Sequence, residues 1–523
     1  MNKLFTKKKN RILFYFLIFF LSFLFDIFIQ LSFYGNKLDF FWNYNFGLQI
    51  SKGVLPYTGF NIVLTPLLSF LTGGVLKVFG SSIVVYVIFM SFLKVSLVFL
   101  FSKISSILIE SRKELDKFKI FLLSFLLMHI LIYNFYFEYN YFAIFFLLFI
   151  IYLEIILYRK KKDDYRFHFI IGICSSLSFL SKQSIGLIVI FFVLLKVLLF
   201  DKDNKVKKIL FRLLGVFLPI LIFLIYLILT NSLSSFIDYC ILGLKDFKGN
   251  YVSYFHFLDE LFTINRYRGI YSYILYWRAY LFPFAVIYIY YKFYKQLKSK
   301  NKLYPYAYIL VLFYSLPAFA CFYPISDLTH LLPSIIPISI LIFNSLYDKL
   351  VLLNKSIKYM KIKRIFLAWG MCLLIVFYFN PFIFYFNSLF GKNKDSVVLD
   401  NKYGNISYVV ISKNSLNIID NVISFEKEMK EKGIKVIILF QDAVMYHLPQ
   451  DIYYKDYDLF MRGNFGKNGE ERLINEIKNS KNTIYLVLKD ELFSTGQIPK
   501  KVINYVKTNL KRDGEILIYD IYK

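Results

Sequence analysis

The sequence predicts an α-helical polytopic membrane protein with about 11 transmembrane helices and a small C-terminal α/β domain. Hydrophobic residues make up 58% of the 523 positions, more than a soluble domain needs for its core. Several apolar runs reach the roughly 20 residues that a helix needs to cross a bilayer. Basic clusters also alternate with connections that contain almost no lysine or arginine, which is the positive-inside asymmetry of a multi-pass membrane protein.

Each apolar run is expected to be a helix, because lipid offers no hydrogen-bond partner to an unpaired backbone group. The first run, from Ile12 to Phe33, is too long for the core of a signal peptide and is expected to stay in the membrane. The predicted spans cover approximately residues 12–33, 81–103, 119–137, 140–158, 167–182, 185–200, 209–230, 271–291, 304–322, 331–348 and 365–388. With a cytoplasmic N-terminus, this odd number places the C-terminal domain outside the plasma membrane.

The net charge of +28 could indicate a nucleic-acid-binding protein, but the distribution of charge argues against that function. Basic residues are concentrated in short connections, such as residues 7–11, 159–162 and 355–364, whereas residues 391–523 carry 21 basic and 18 acidic side chains. The expected partners are therefore membrane lipids and no nucleic acid. The four cysteines show no metal or redox spacing and imply no disulfide framework, although Cys240 and Cys321 could both face outside and form a bridge. No cofactor is predicted, and a divalent metal, although possible, is not supported by the spacing.

The composition of the chain changes after residue 390. We assign residues 1–390 to the transmembrane domain and residues 391–523 to an extracytoplasmic α/β domain. In the latter, β-like runs at 436–440, 484–488 and 515–519 alternate with helix-like stretches at 419–432, 470–479 and 501–510. Gly463-x-x-Gly466-x-x-Gly469 lacks the strand-then-helix context of a nucleotide-binding fingerprint.

Residues 34–80 form the predicted first outer loop, which mixes apolar and polar residues closely. Asp39 is its candidate general base, a group that would take a proton from an acceptor hydroxyl. A helical turn would place Trp42 and Asn43 on the same face as Asp39. Tyr57 belongs to a Gly-x-x-Pro-Tyr turn, and Trp42 and Tyr57 could stack on a sugar ring. The alternative interpretation of Asp39 is a solvated loop carboxylate.

The end of this loop, residues 60–79, is apolar enough to compete as a span. Thr65-Pro66 and Gly73-Gly74 predict a poor continuous helix, because proline lacks a backbone donor and glycine is a weak helix former. We therefore assign this segment to the outer surface as an interfacial or re-entrant element.

Two further outer connections hold candidate substrate-binding residues. Glu138 and Asn140 lie in a short turn between predicted spans, and Glu138 is either a solvated charge or a pocket residue. Lys182 and Gln183 interrupt two apolar runs at the predicted outer face. A lysine in such a place commonly extends its charge to water. This one lies on the face opposite the basic clusters, where its charge could bind a lipid phosphate.

A third outer connection contains Asp327 and His330. Asp327 could cap the helix that follows, or both side chains could face the same outer cavity as Asp39. Within the membrane, Asp26 and Lys94 are costly to bury unless they are partnered or hydrated, so we expect them to approach each other between the first two spans. The pair would be either structural or part of a proton path.

In order and sidedness, these residues resemble the GT-C superfamily of polytopic glycosyltransferases, which includes protein O-mannosyltransferases and the lipid A aminoarabinose transferase. The resemblance covers the membrane part of the chain, and the soluble outer tail fits it as well. It is carried by Asp39 after the first span, Gly53-x-x-Pro56-Tyr57, Thr65-Pro66-Leu67-Leu68 ahead of Phe79-Gly80, Glu138-Tyr139-Asn140, Lys182-Gln183-x-x-Gly186 and Tyr323-Pro324-x-x-Asp327-x-x-His330.

The resemblance implies an enzyme that moves a sugar from a polyprenyl-phosphate donor to an extracytoplasmic acceptor hydroxyl, with inversion at the anomeric carbon. Asp39 would be the catalytic base, Lys182 would help to bind the donor phosphate, and Glu138 with the Asp327 and His330 loop would line the pocket. The acceptor could be a lipid, a glycan or a protein. Some members carry paired acidic residues in the first loop, whereas Phe40 follows Asp39 here; this weakens any case for a bound divalent metal.

Three other functions are compatible with the sequence. A lipid or glycan transporter would need polar residues through the bilayer midplane and broken helices in corresponding halves, and Asp26 and Lys94 are the main features that favour it. A non-catalytic scaffold could use its outer tail to bind a cell-wall partner. A ligase of lipid-linked glycans would share the donor class and differ in its acceptor.

Overall fold

The contacts within the protein divide the chain into two compact units, each assembled from segments that are distant in sequence. The first unit comprises Met1–Ile27, Met90–Ile222 and Val252–Asn380, and the second comprises Phe28–Phe89, Phe223–Tyr251 and Pro381–Lys523. The computed structural model describes residues 8–32, 38–108, 114–132, 135–160, 164–243, 253, 255, 283–292, 294–295, 298, 306–322, 325–326, 328–353, 380–489 and 498–523.

Up to residue 353 the described chain is almost entirely helical. The helices are α1 (Lys8–Ser32), α2 (Leu38–Ser51), α3 (Leu67–Phe79), α4 (Ile83–Leu108), α5 (Glu114–Ile132), α6 (Tyr139–Lys160), α7 (Tyr165–Ser181), α8 (Gln183–Phe200), α9 (Lys205–Leu229), α10 (Leu233–Ile237), α11 (Tyr306–Ser315) and α12 (Leu328–Leu353). Residues 283–292 and 380–389 are also helical.

Six of the described helices are long and apolar enough to cross a membrane, which identifies a helical membrane-embedded protein. They are Ile12–Ser32, Ile83–Leu108, Tyr139–Lys160, Gln183–Phe200, Lys205–Leu229 and Thr329–Tyr347. Helices α5 and α7 occupy two further predicted spans, at 119–137 and 167–182. The predicted spans at 271–291 and 365–388 fall partly on residues outside the described ranges.

Close backbone contacts at glycines hold helices of the first unit together. A Cβ atom at Gly172 of α7 would lie 2.1 Å from the Arg212 carbonyl oxygen of α9, and one at Gly215 of α9 would lie 2.1 Å from the Phe169 carbonyl oxygen. Small residues allow membrane helices to approach in this way, because dispersion contacts rather than the hydrophobic effect drive their association. The two glycines therefore fix the crossing of α7 and α9.

In the second unit, α2 and α3 also cross at glycines. A Cβ at Gly47 would lie 2.2 Å from Thr72 Cγ2, and one at Gly73 would lie 2.5 Å from Ile50 Cγ2. Pro66 precedes the first residue of α3, where its missing N–H costs no helical hydrogen bond. The expectation of a poor continuous helix over residues 60–79 holds at Thr65-Pro66, since the helix begins only at Leu67, but it is wrong at Gly73-Gly74, because α3 runs unbroken through both residues. Gly73 is explained by the close approach of α2.

The tail of the second unit contains two sheets. Strands β1 (Ser396–Val398) and β2 (Val410–Ser412) form an antiparallel pair. Strands β3 (Lys435–Ile438), β4 (Thr483–Leu488), β5 (Arg512–Ile516) and β6 (Tyr519–Tyr522) form a four-stranded sheet in the order β3-β4-β6-β5. β3 and β4 are parallel, with Val436 opposite Ile484, and the other pairs are antiparallel.

Three helices of the tail lie within a few residues of the predicted stretches. They are α13 (Lys413–Glu431), α14 (Gly469–Asn479) and α15 (Lys500–Asn509). One face of the sheet packs Ile437 and Val487 against Leu473 of α14 and Val502 and Val506 of α15. α13 packs against β3. The predicted runs at 436–440 and 484–488 therefore correspond to β3 and β4, whereas the predicted run at 515–519 is wrong as a single strand, because it crosses the turn between β5 and β6.

Candidate functional site

Asp39 lies in the first turn of α2, where it is partly exposed. The positive end of a helix dipole favours a carboxylate at this position. The predicted helical turn is present, so Trp42 and Asn43 follow Asp39 at helical spacing. The Asn43 amide nitrogen donates a hydrogen bond to the Asp39 backbone oxygen over 2.6 Å. The Asn43 side chain thus stabilises the helical turn that carries the candidate base.

Trp42 is buried, and within the described part of the chain its indole N–H has no hydrogen-bond acceptor. A buried donor without a partner costs roughly 1–3 kcal/mol. This N–H is the one polar group of the predicted Asp39 face that the described residues leave available to a substrate oxygen or a water molecule. Trp42 could therefore offer a hydrogen bond as well as the ring face that the sequence predicted.

Tyr57 is fully buried and adopts a left-handed backbone with φ 70°. Its hydroxyl donates to the Leu64 carbonyl oxygen over 2.9 Å, and its ring lies 5.3 Å from the ring of Phe236. Burial raises the pKa of this hydroxyl well above its usual value. The residue closes the loop between α2 and α3 in this arrangement, so stacking on a sugar would require the loop to open.

In the first unit, Glu138, Asn140 and Lys182 form a buried chain of hydrogen bonds. The Lys182 ammonium donates to the Asn140 side-chain oxygen over 2.6 Å, and the Asn140 amide nitrogen donates to the Glu138 carboxylate. Lys182 is only 8% exposed, so it does not extend its charge to water as a surface lysine would. The structure thus brings together three of the residues that the sequence singled out.

The position of Lys182 is set by a one-residue break between two helices. Its extended backbone, with φ −152° and ψ 114°, ends α7 and begins α8. A Cβ at Gly186 would lie 2.0 Å from Phe179 Cα, so only glycine allows α8 to turn back against α7. Gln183 is the first residue of α8, and the first turn of that helix contains no acidic side chain. Lys182 and the positive end of α8 therefore share one location.

Two other groups lie near this cation. The Lys182 ammonium is 5.4 Å from the centre of the Tyr139 ring, in range of a cation–π contact. Cys321 is buried within electrostatic range of both Lys182 and Glu138. His330 lies in the first turn of α12 and is partly exposed, whereas Asp327 lies outside the described residues.

The predicted site residues fall into two groups, one in each unit. Asp39, Trp42, Asn43 and Tyr57 belong to the second unit, and Glu138, Asn140, Lys182, Gln183 and His330 belong to the first. Each group is defined by contacts within its own unit.

The expected approach of Asp26 and Lys94 is confirmed. The Lys94 ammonium lies 2.8 Å from an Asp26 carboxylate oxygen, and both side chains are buried between α1 and α4. His129 of α5 is buried within electrostatic range of the same lysine.

A second buried ionic cluster in the first unit was not predicted. The Glu154 carboxylate of α6 accepts from the Tyr314 hydroxyl over 2.8 Å, lies 2.7 Å from the Arg212 guanidinium and lies 3.1 Å from the Lys196 ammonium. Arg212 Nε also donates to His168 Nδ1 over 3.1 Å. The sequence signal was available, because Glu154, Lys196 and Arg212 each interrupt an apolar run and intramembrane charges are costly unless paired.

In the second unit, a polar network joins the loop after α2 to the tail. The Asn61 side chain donates to the Asn464 carbonyl oxygen over 3.1 Å and accepts from the Asp456 N–H over 3.3 Å. The buried Asp456 carboxylate accepts from the Tyr239 hydroxyl over 2.8 Å and pairs with Arg472 over 2.7 Å. No local pattern predicts these contacts, because the partners are more than 200 residues apart in several cases.

The glycine motif at 463–469 has a structural explanation. Gly466 has φ 74°, and a Cβ there would lie 2.2 Å from an Asp238 carboxylate oxygen. The same carboxylate accepts from the Lys467 N–H over 2.9 Å. The backbone of the motif therefore binds the Asp238 carboxylate of the same chain. No strand directly precedes the motif among the described residues, as the sequence indicated.

The tail also contains a buried histidine between two carboxylates. One ring nitrogen of His447 is hydrogen-bonded to Asp458, and the other lies 3.3 Å from a Glu426 oxygen. Burial alone would lower the pKa of His447, but the two carboxylates outweigh it and raise the pKa to about 10. The imidazole is therefore a permanent cation at neutral pH, with a structural rather than an acid–base role.

No protein-family model matches this chain, and neither a curated protein nor a solved structure matches it significantly. Among the residues that the structure describes, no group of three or more His, Cys, Asp or Glu side chains is arranged to hold a metal ion.

Proposed function

We propose that this protein is a membrane glycosyltransferase of the GT-C type, which moves a sugar from a polyprenyl-phosphate donor to an acceptor hydroxyl with inversion at the anomeric carbon. The proposal includes the eleven-span topology, the cytoplasmic N-terminus and the extracytoplasmic tail in the plasma membrane. Its support is the membrane-embedded helical architecture together with the resemblance of the sequence motifs.

The observation that carries the proposal is the buried Lys182 cation at the start of α8. Asn140 holds the ammonium through its side-chain oxygen, and Glu138 in turn holds the Asn140 amide. A charge-assisted hydrogen bond from lysine to a phosphate oxygen is stronger than a neutral one, and a helix N-terminus also favours an anion. A cation fixed before the substrate arrives needs no reorganisation when a lipid phosphate leaves as an anion.

The chemistry requires one base and no acid. The acceptor oxygen would form a bond to the anomeric carbon from the face opposite the lipid phosphate, while the bond from that carbon to the phosphate oxygen breaks. Asp39 would take the acceptor proton, and Lys182 would stabilise the charge of the departing polyprenyl phosphate. Trp42 and Asn43 would orient the sugar or acceptor next to Asp39, and Gln183 and His330 would contribute polar contacts near the donor.

The test uses purified full-length protein, a panel of polyprenyl-phosphate sugars and the release of polyprenyl phosphate as the measured product. Asp39→Asn should abolish transfer at every donor concentration, whereas Lys182→Met should lower both kcat and kcat/KM for the donor. Lys182→Arg should recover part of the donor affinity, because it keeps the charge. Lys432→Gln serves as a matched control, since Lys432 lies on the exposed surface of the tail, where among the described residues it forms an ion pair with Glu428.

Size-exclusion profiles of all variants separate loss of activity from loss of folding. Full turnover by Asp39→Asn would reject the base assignment, and an unchanged kcat and kcat/KM for the donor in folded Lys182→Met would reject the phosphate role. Absence of phosphate release from the wild-type protein with every donor would reject the enzyme itself.

A lipid or glycan transporter is the second candidate, and the buried Asp26 and Lys94 pair is the observation that favours it. Ionisable residues inside membrane helices often mark substrate or proton paths. Reconstituted protein that moves a fluorescent polyprenyl-linked sugar between leaflets, without releasing polyprenyl phosphate, would establish this function in place of transfer.

A further inference from the structure

Residues 225–242 of the second unit carry two groups of exposed apolar side chains, separated by the polar turn at residues 230–232. The exposed residues are Ile225, Ile228 and Leu229 at the end of α9, followed by Ile237, Ile241 and Leu242 in α10 and the π-helical turn Asp238–Leu242. Exposed apolar surface of this extent in one stretch of chain marks an interaction site. α10 and the π-helical turn together are too short to be a span, because their ten residues from Leu233 to Leu242 extend about 15 Å as a helix.

The opposite face of this element is committed to its own unit by polar contacts. Asp238 accepts from the Lys467 N–H over 2.9 Å, and the Tyr239 hydroxyl donates to Asp456 over 2.8 Å. The Cys240 thiol lies 3.7 Å from the Leu64 carbonyl oxygen, and Phe236 packs on Tyr57. One side of the element therefore contacts its own unit through polar and aromatic groups, whereas Ile237, Ile241 and Leu242 are exposed on the other side.

The position along the chain identifies the partner as lipid. α9 is one of the six helices able to cross a membrane, and it ends at Leu229. Asn231 has φ 52°, and the Ser232 N–H donates to the Leu227 carbonyl oxygen over 2.8 Å, which turns the chain out of the helix. The three residues between α9 and α10 can extend at most about 10 Å. α10 must therefore begin within the headgroup zone that borders the membrane end of α9.

We propose that residues 233–242 form an interfacial element, which inserts Ile237, Ile241 and Leu242 into the lipid next to α9 and holds the tail through Asp238, Tyr239 and Cys240. An amphipathic segment in this plane gains the transfer free energy of its apolar face. The tail is then attached to the bilayer surface at a defined height, independently of any catalytic activity. A second protein covering the same face is the competing explanation.

The test places a nitrobenzoxadiazole fluorophore on Ile241→Cys in nanodiscs of phosphatidylethanolamine and phosphatidylglycerol. Lys478→Cys on the exposed surface of α14 is the matched control, and protein without an introduced cysteine corrects for labelling of native thiols. Lipids with a nitroxide near the headgroup should quench the fluorophore at residue 241 several-fold more than the one at residue 478. Iodide in the water should quench residue 478 more strongly.

Equal quenching by iodide at both positions, with no quenching by the lipid nitroxide at 241, would overturn the proposal. Protection of residue 241 from both quenchers would also overturn it, because a protein partner rather than lipid would then cover the face. Ile237→Cys repeats the measurement one turn away and should give the same result as Ile241→Cys.

Discussion

Replacing His447 by glutamine should destabilise the second unit by an amount that depends on pH. The folded pKa of His447 is raised from 6.5 to about 10, so protonation favours the folded state. A difference of this size contributes about 3 kcal/mol near pH 7.5. Removing one member of a buried ionic cluster costs roughly 3–5 kcal/mol in other proteins. The two estimates agree, because His447→Gln leaves Asp458 and Glu426 buried without their shared cation.

The sign of the pH dependence follows from the raised pKa. The stabilisation is fully present below about pH 6.5, the ordinary histidine value, and it is lost as the pH rises through about 10. Wild-type protein should therefore lose its advantage over His447→Gln between neutral and alkaline pH. The variant itself should show a flatter pH profile over the same window.

The assay is thermal unfolding of the full-length protein in detergent, followed by intrinsic fluorescence at neutral and alkaline pH. A loss of 3 kcal/mol in a unit of this size lowers Tm by about 6–12 °C. Lys432→Gln removes an exposed ion pair with Glu428 and should change stability by less than about 1 kcal/mol. Equal Tm values for wild type and His447→Gln at neutral pH, or a difference that persists at pH 10, would refute the assignment of a buried imidazolium.

Two further predictions concern helix packing. Gly73→Ala should destabilise the protein by about 1–3 kcal/mol, because the new Cβ would lie 2.5 Å from Ile50. Gly74→Ala should stabilise the protein by about 0.5–1 kcal/mol, because no atom lies within 4 Å of the new Cβ. Thermal unfolding of both variants tests this, and equal changes in Tm would contradict it. Asp26→Leu should lower the free energy of unfolding by roughly 3–5 kcal/mol, because it leaves the Lys94 ammonium, 2.8 Å from Asp26 in the wild type, without this buried partner. The double variant with Lys94→Leu should lose less stability, and additive effects in a double-mutant cycle would argue against coupling.

Sequence reasoning succeeded where the signal was local. The strand β4 begins one residue before the predicted run at 484–488 and ends with it, since both a period of two and a continuous apolar run are properties of neighbouring residues. The approach of Asp26 and Lys94 could also be foreseen, because each charge lies in an apolar run and has few other ways to be compensated. The helical turn that follows Asp39 belongs to the same category.

Predictions from the sequence were wrong or missing where the structure depends on a residue far along the chain. On propensity alone, Gly73-Gly74 predicts a poor helix, because each glycine costs a helix roughly 1 kcal/mol. Packing of α3 against Gly47 and Ile50 of α2 offsets that cost. The turn around Tyr57 predicts an exposed aromatic side chain, yet the Tyr57 hydroxyl donates a hydrogen bond to the Leu64 carbonyl oxygen and the residue is buried. Burial of this kind is decided by what packs on the residue, which a single sequence does not state.

The buried Asp456 carboxylate gives a physical reason for the composition of the second unit. Three separate segments stabilise Asp456. The Asn61 side-chain oxygen accepts a hydrogen bond from the Asp456 backbone N–H, the Tyr239 hydroxyl donates to the Asp456 carboxylate, and Arg472 of the tail forms an ion pair with the same carboxylate. An unpaired carboxylate with 2% exposure would be very costly, so the loop after α2 and the segment after α9 contribute to the folding of the tail. A change in the tail would then be transmitted to the segment that follows α2 through Asn61, without any contact to the substrate. If Asp39 of α2 is the base, as proposed, sugar transfer should accordingly be sensitive to the state of the tail.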